Sequence, residues 1–170
     1  TAVNGPGGEV TGFAKVTRDR SEARQSAERI RRLNRLYVVL SEINQAIVRI
    51  RDLSTLFDHA CGVIVRQGGL PLVWIGLVDP EGRAVRVVAF AGDGHGYVEN
   101  LNILLDPATA QGQGPTATAV RTGVYAVVED IATDPRMAYW RGEALRRGFH
   151  AGASFPLAVS GVVRGVLAVY

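Results

Sequence analysis

The 170 residues carry a net charge of +3 and 47% hydrophobic side chains, enough for one domain with its own core and an appendage. No apolar run approaches the roughly 18–20 residues of a membrane span, and the opening TAVNGPGGEV lacks the basic and apolar regions of a secretory signal, so the expected setting is cytoplasmic. A single cysteine, Cys61, excludes an intramolecular disulfide and leaves no thiol set for a structural zinc site.

The charge is unevenly placed. Residues 1–52 hold 10 basic and 6 acidic side chains, a net of +4, against −1 for the remainder, so the high isoelectric point belongs to an N-terminal arm. One aromatic, Tyr37, accompanies its arginines. A nucleic-acid surface wants basic residues interleaved with aromatics on one face, so the arm reads as a solvated helix face and no nucleic-acid partner is expected.

In chain order, the Gly-Gly of GPGGEV marks a turn, and Val10–Thr17 alternates like a strand. A lone hairpin is marginal in water, so this strand is expected to belong to a larger sheet. From Ser21 to Arg51 there is neither Gly nor Pro. Leu33, Leu36, Leu40, Ile43, Ile47 and Ile50 fall at alternating spacings of three and four, a heptad seam that predicts a parallel coiled-coil homodimer through this helix. The other use of such a stripe is packing on the chain's own domain. Asp52 or Ser54 is placed to cap a second helix, with Leu56, Ala60, Val63 and Ile64 at helical spacing.

Leu72–Val78, LVWIGLV, predicts a strand buried on both faces. Asp79-Pro80-Glu81-Gly82 predicts a hairpin turn, and Ala84–Phe90 its partner strand. Leu101–Leu105 predicts a short strand, and Pro115–Thr122 a short helix with Pro in its first turn and Gly123 just past its end. Val124–Val128 predicts a strand, Asp134–Arg147 a helix closed by Gly148, and Ala151–Val159 with Val162–Tyr170 a hairpin around Ser160-Gly161. Strands joined mostly by hairpins imply a central, largely antiparallel sheet with helices beside it, after a long N-terminal helix: an α+β fold.

Three stretches, GQGPTATAVRTG, VVEDIATDPRMAYWRGEALRRGFHAGASFPL and GVVRGVLAVY, stand in the order and spacing of a Gly-x-Gly-Pro-Thr element, an Asp-Ile-x-x-Asp-Pro element, a Ser-x-x-x-Pro-Leu strand and a closing Gly-x-Leu-x-x-Tyr strand. With GLPLVWIGLVD they resemble a GAF domain of the bacterial sensor type over residues 37–170. GEVTGFAKVTRDRSEA resembles the last strand and exit of a PAS domain, over residues 1–19, and residues 20–36 resemble the signalling helix that joins such modules. The resemblance departs in one place: sensor domains of this kind usually end in a further helix, and none follows Tyr170. It implies a non-catalytic regulatory module of a multidomain signalling protein, binding a small molecule or relaying a signal to a diguanylate cyclase, a cyclic-di-GMP phosphodiesterase or a histidine kinase. A ligand-free dimerisation and spacer module is the other reading.

The glycine-rich GQGPTATAVRTG looks like a phosphate cradle, but it has no Lys after its second Gly, as a P-loop needs, and no parallel βαβ context for a dinucleotide fingerprint. Gly112 and Gly114 are expected to make a tight approach to the helix begun by Pro115. The same helix N-terminus, with Thr116, could face an anionic or carbonyl group of a ligand. Trp74, Phe90, Tyr97, Tyr139 and Trp140 come from separate elements and are candidate walls of a small-molecule pocket, with Thr116, His150 and Ser154 as its polar groups. No cofactor is required by these residues. Haem, held by His150, or another small ligand would be the resemblance's implication. His59, His95 and His150 lack metal-ligand spacing, Asp130 and Asp134 are spaced as a loop residue and a helix cap, and one thiol lacks the resolving partner that redox chemistry needs. A redox or hydrolytic enzyme is therefore the third and least supported class.

Overall fold

A computed structural model describes residues 2–4, 6–7, 10–13 and 21–170. The chain divides into two compact units, Thr1–Asn34 and Arg35–Tyr170. In the first, β1 (Ala2–Asn4) and β2 (Val10–Phe13) form an antiparallel two-stranded ladder, with Val3 opposite Gly12. The predicted strand thus has one partner within this chain. Its expected continuation through Thr17 lies outside the described residues.

Helix α1 (Ser21–Arg49) ends two residues short of the predicted Arg51. Asp52 interrupts it: the Asp52 carboxylate accepts from the Thr55 N–H at 2.7 Å and caps α2 (Leu53–Gly68), so Asp52 rather than Ser54 starts that helix. Gly69, at φ 68°, closes α2 in the left-handed conformation, its N–H returning to the Val65 carbonyl.

The second unit is built on a six-stranded, wholly antiparallel sheet. Its strands are β3 (Leu72–Val78), β4 (Ala84–Gly92), β5 (Ile103–Leu104), β6 (Ala126–Val128), β7 (Gly152–Val159) and β8 (Val162–Val169). They lie in the order β5-β4-β3-β8-β7-β6. Strand β3 is central, and its period of two serves two cores. Leu72 and Trp74 face one side with Val166 and Ala168 of β8; Val73 and Ile75 face the other with Leu167 and Val169. Helix α2 covers the second side through Phe57, Cys61, Ile64 and Val65. Two-sided burial is why LVWIGLV is apolar without alternation, each fully buried large side chain contributing roughly 1.5–3 kcal/mol.

The first side is covered by α3 (Pro115–Thr122), α4 (Arg141–Arg146) and the segments between them. The helix predicted over 134–147 is broken. Asp134 caps a 3-10 turn, Pro135–Met137, and α4 starts only at Arg141. The break has a packing cause: Met137, Trp140 and Ala144 all turn inward, and the Arg141 guanidinium reaches back to the carbonyls of Ile131 and Asp134. Strand β6 begins at Ala126, leaving Val124 and Tyr125 exposed. No described helix is long and apolar enough to cross a membrane.

Candidate functional site

The stretch GQGPTATAVRTG is held by sterics and by one arginine. A Cβ on Gly112 would lie 1.7 Å from the Asp106 carbonyl oxygen, and one on Gly114 would lie 2.4 Å from the Trp140 ring. The two glycines are thus required by close approach within the fold, not by a phosphate. The Arg121 guanidinium donates to the carbonyls of Gly112 and Leu105 and ties the loop to the end of α3. Thr116 and Ala117 are left with first-turn N–H groups that have no intrahelical acceptor.

Behind the start of α3 lie two small cavities, each of about 10 Å³, the space of about one water. Pro115, Thr116, Met137 and Tyr170 wall both. Trp74, Leu101, Ile103 and Trp140 complete one, and Val128, Ile131 and Ser154 belong to the other. No charged side chain lines either. The polar groups are paired hydroxyls and unpaired indoles. Thr116 Oγ1 and Ser154 Oγ, both buried, share a hydrogen bond of 2.9 Å. Tyr97 and Tyr170 share one of 3.0 Å between their hydroxyls. Burial pushes both phenol pKa values well up, so both stay protonated. Trp74 Nε1 turns toward the Tyr170 hydroxyl without reaching hydrogen-bond geometry, and neither it nor Trp140 Nε1 has a partner.

The predicted site residues therefore divide. Trp74, Thr116, Trp140 and Ser154 are buried around these cavities. Tyr97 is buried behind them, in edge contact with Phe149 and Tyr170 at 5.6 and 5.8 Å. The other three candidates do not line these cavities. Phe90 lines a separate groove of about 600 Å³ along β4, with Asp58, Arg86 and Glu99. Tyr139 is half exposed and touches only the outer edge of Trp140, at 5.1 Å. His150 is exposed and lines neither cavity, because alternation places its neighbour Phe149 in the core. Cavities of this size hold no haem as they stand, and His150 lines neither. Sequence reasoning missed Met137 and Tyr170. Tyr170 shares the face of Val166 and Ala168 by simple alternation, a signal that was available.

The chemistry of the rest is inert. Cys61 is fully buried on the sheet-facing side of α2, and burial, with the Asp58 carboxylate second, pushes its thiol up to about 12. Among the described residues no three His, Cys, Asp or Glu side chains cluster as a metal site. The Arg136 guanidinium holds the Asp134 carboxyl below the usual carboxylate range and also donates to the Val127 carbonyl, pinning the turn that carries Met137.

A family model described as GAF domain matches residues 50–170. No curated sequence matches the chain. Among solved structures, the nlh2 GAF domain of A. aeolicus in an inactive state is similar, with a TM-score of 0.64 at 20% identity, over 82% of this chain and 80% of that one. The GAF domain of a phosphoenolpyruvate-protein phosphotransferase from Coxiella burnetii is similar at 0.64 and 14%, over 81% and 77%. The free methionine-R-sulfoxide reductase from Neisseria meningitidis, in complex with its substrate, is similar at 0.61 and 22%, over 77% and 70%. Likeness at these identities shows the fold, and that fold serves regulatory domains and an enzyme alike.

Proposed function

This chain belongs to the GAF domain family, a regulatory fold found in signalling proteins, and from that premise we propose that it is a non-catalytic regulatory module working as a homodimer through α1. The observation that carries the reading is the unpartnered apolar stripe of that helix. Leu33, Leu36, Leu40 and Ile47 are each more than half exposed, and Tyr37 and Val48 still more so. Ile43 and Ile50 are partly covered, beside the buried Ala46. A contiguous apolar strip of this length on a single copy marks a protein contact. Its spacing of three and four fits the equivalent strip of a second copy.

The reading extends in two directions. Residues 1–19 would be the end of a PAS-like domain and 20–36 a signalling helix, with residues 37–170 as the sensor; the helical course of Ser21–Arg49 is in keeping with the second of these. A small molecule entering behind α3 would bias the domain between two states. The dimeric helix would pass that bias to an output domain, a cyclic-di-GMP enzyme or a histidine kinase. Absence of catalysis is supported by the buried, protonated Cys61 and by the lack of a general base around the cavities. A second reading, a ligand-free spacer, is favoured by one observation: cavities of about 10 Å³ hold no ligand as they stand.

Light scattering on the eluting protein across a concentration series tests the dimer. The wild-type chain is expected at twice its mass, and Leu36→Glu with Leu40→Glu at its single mass, with unchanged near-ultraviolet dichroism. A wild-type chain that stays monomeric at micromolar concentration would refute the relay.

A further inference from the structure

We propose that the cavities behind α3 take a small monocarboxylate with a compact apolar tail; this rests on the ligand-pocket reading above and names its ligand class. Two fully buried donors carry the argument. Trp74 is 0% and Trp140 8% exposed, their rings wall the same cavity, and both indole N–H groups lack an acceptor. A buried donor without a partner is costly enough that such groups are rare in folded proteins. Every other polar side chain lining the cavities is already engaged: Thr116 with Ser154, and Tyr170 with Tyr97. The unpartnered polar atoms of the site are therefore donors.

The start of α3 adds to this bias. Its first-turn N–H groups and the positive end of its dipole lie where Pro115 and Thr116 wall both cavities. With no carboxylate in the lining, nothing competes with an incoming anion. With no lysine or arginine there, recognition falls to N–H groups, which suit the in-plane lone pairs of a carboxylate. An ammonium would leave both indole N–H groups unpaired. The remaining lining, Leu101, Ile103 and Met137, is apolar and asks for a hydrocarbon tail.

Size follows from Met137. It is 2% exposed and, with Pro115, Thr116 and Tyr170, walls both spaces of about one water each. An unbranched, flexible side chain is the kind that yields without disturbing its backbone. Its displacement would free roughly its own bulk beside both spaces. The ligand is thus of side-chain size, far smaller than haem or a nucleotide.

The chain has two tryptophans, and both are in the site. Their indole N–H signals in a heteronuclear spectrum of the isotope-labelled full chain therefore report it directly. The probes are acetate, isovalerate and benzoate, with isovaleramide and isobutylamine as matched neutral and cationic analogues of isovalerate. Saturable binding of at least one carboxylate, moving both indole signals downfield, is expected, with the amide weaker and the amine without effect. Trp140→Phe keeps the ring and removes one donor, and is expected to weaken that carboxylate about tenfold or more. Isobutylamine binding as tightly as isovalerate, or carboxylate binding that leaves both indole signals in place, overturns the ligand class while leaving the pocket standing. If no probe binds up to millimolar concentration, the class and the pocket reading fall together. The spacer reading then remains, and the oligomer measurement above decides it separately.

Discussion

Replacing Gly114 by Ala tests whether the glycine-rich stretch is shaped by packing or by a ligand. Gly114 sits at φ −64°, ψ 162°, which alanine adopts freely, so backbone strain contributes nothing. The added Cβ would fall 2.4 and 2.6 Å from Cζ3 and Cη2 of Trp140, where carbon atoms rest at about 3.5–4.0 Å. Trp140 is 8% exposed, so its ring has little free space to retreat into. Overpacking of this kind costs about 1–3 kcal/mol, and alanine is also a poorer N-cap than glycine. At about 2–4 °C per kcal/mol for a chain of this size, that corresponds to a fall in Tm of roughly 2–12 °C. The control is Gly142→Ala in α4, where a Cβ meets nothing within 4 Å and φ is not positive. It is expected to be neutral or to stabilise by up to about 1 kcal/mol. Urea unfolding of the two variants beside the wild type gives the comparison. A Gly114→Ala chain within about 0.5 kcal/mol of wild type, or a Gly142→Ala chain equally damaged, would refute the packing account.

Two further predictions concern titration. Cys61 should resist maleimide labelling at pH 8 in the native protein and react on unfolding; rapid stoichiometric labelling of the folded chain would contradict its burial. Because its folded pKa is raised, from the ordinary 9.0 to about 12, its share of stability is fully present below pH 9 and lost as pH rises toward 12, a slope that Cys61→Ala should flatten. Asp134 has the opposite sign. Its folded pKa is lowered, chiefly by the hydrogen bond from Arg136, so its contribution is present above pH 3.8 and lost as pH falls below it. Asp134→Ala should cost about 1 kcal/mol at neutral pH through the lost cap, and a chain whose acid unfolding is unchanged by that substitution would show that the Met137 turn is held by other means.

Much of the fold was readable because its signals are local. Gly123 and Gly148 stand where the chain takes positive φ, and Asp79-Pro80-Glu81-Gly82 makes the expected turn, its Asp79 carboxylate accepting from the Arg83 N–H. The failures share a different cause. In β4 the register shifts between Ile75 and Gly76 of the partner strand, so one extra residue enters and the alternation changes phase. Val85 and Val87 belong to the first core, then Ala89 to the second and Phe90 back to the first. No period of two can forecast that step, and Phe90 lines the groove along β4 rather than the cavities behind α3. The break at 137–141 arises from tertiary burial of Met137 and Trp140, which overrides a helical composition. His150 was misplaced for a simpler reason: beside Phe149, only one of the two could face inward.

The closed pocket and the open stripe bear on one another through the layers between them. Trp74 faces the cavity from β3, while its neighbours Val73 and Ile75 face α2 from the same strand. Helix α2 in turn holds α1, Gln67 donating to the Glu42 carboxylate at 3.1 Å. Contiguity of this kind is not coupling until some element has two discrete arrangements that both ends favour unequally. On the proposed reading Met137 is that element: the two cavities it helps to wall hold about a water each as they stand and would admit a small ligand once it moved. A state too small to admit the ligand has no affinity for it. All of the ligand's binding free energy then discriminates between the two states, which is the largest bias that a given affinity can exert on an equilibrium. A cavity closed at rest is therefore not evidence against sensing. It is the resting state from which even a weak carboxylate ligand would produce a full shift, provided its concentration exceeds the apparent dissociation constant set by the population of the open form.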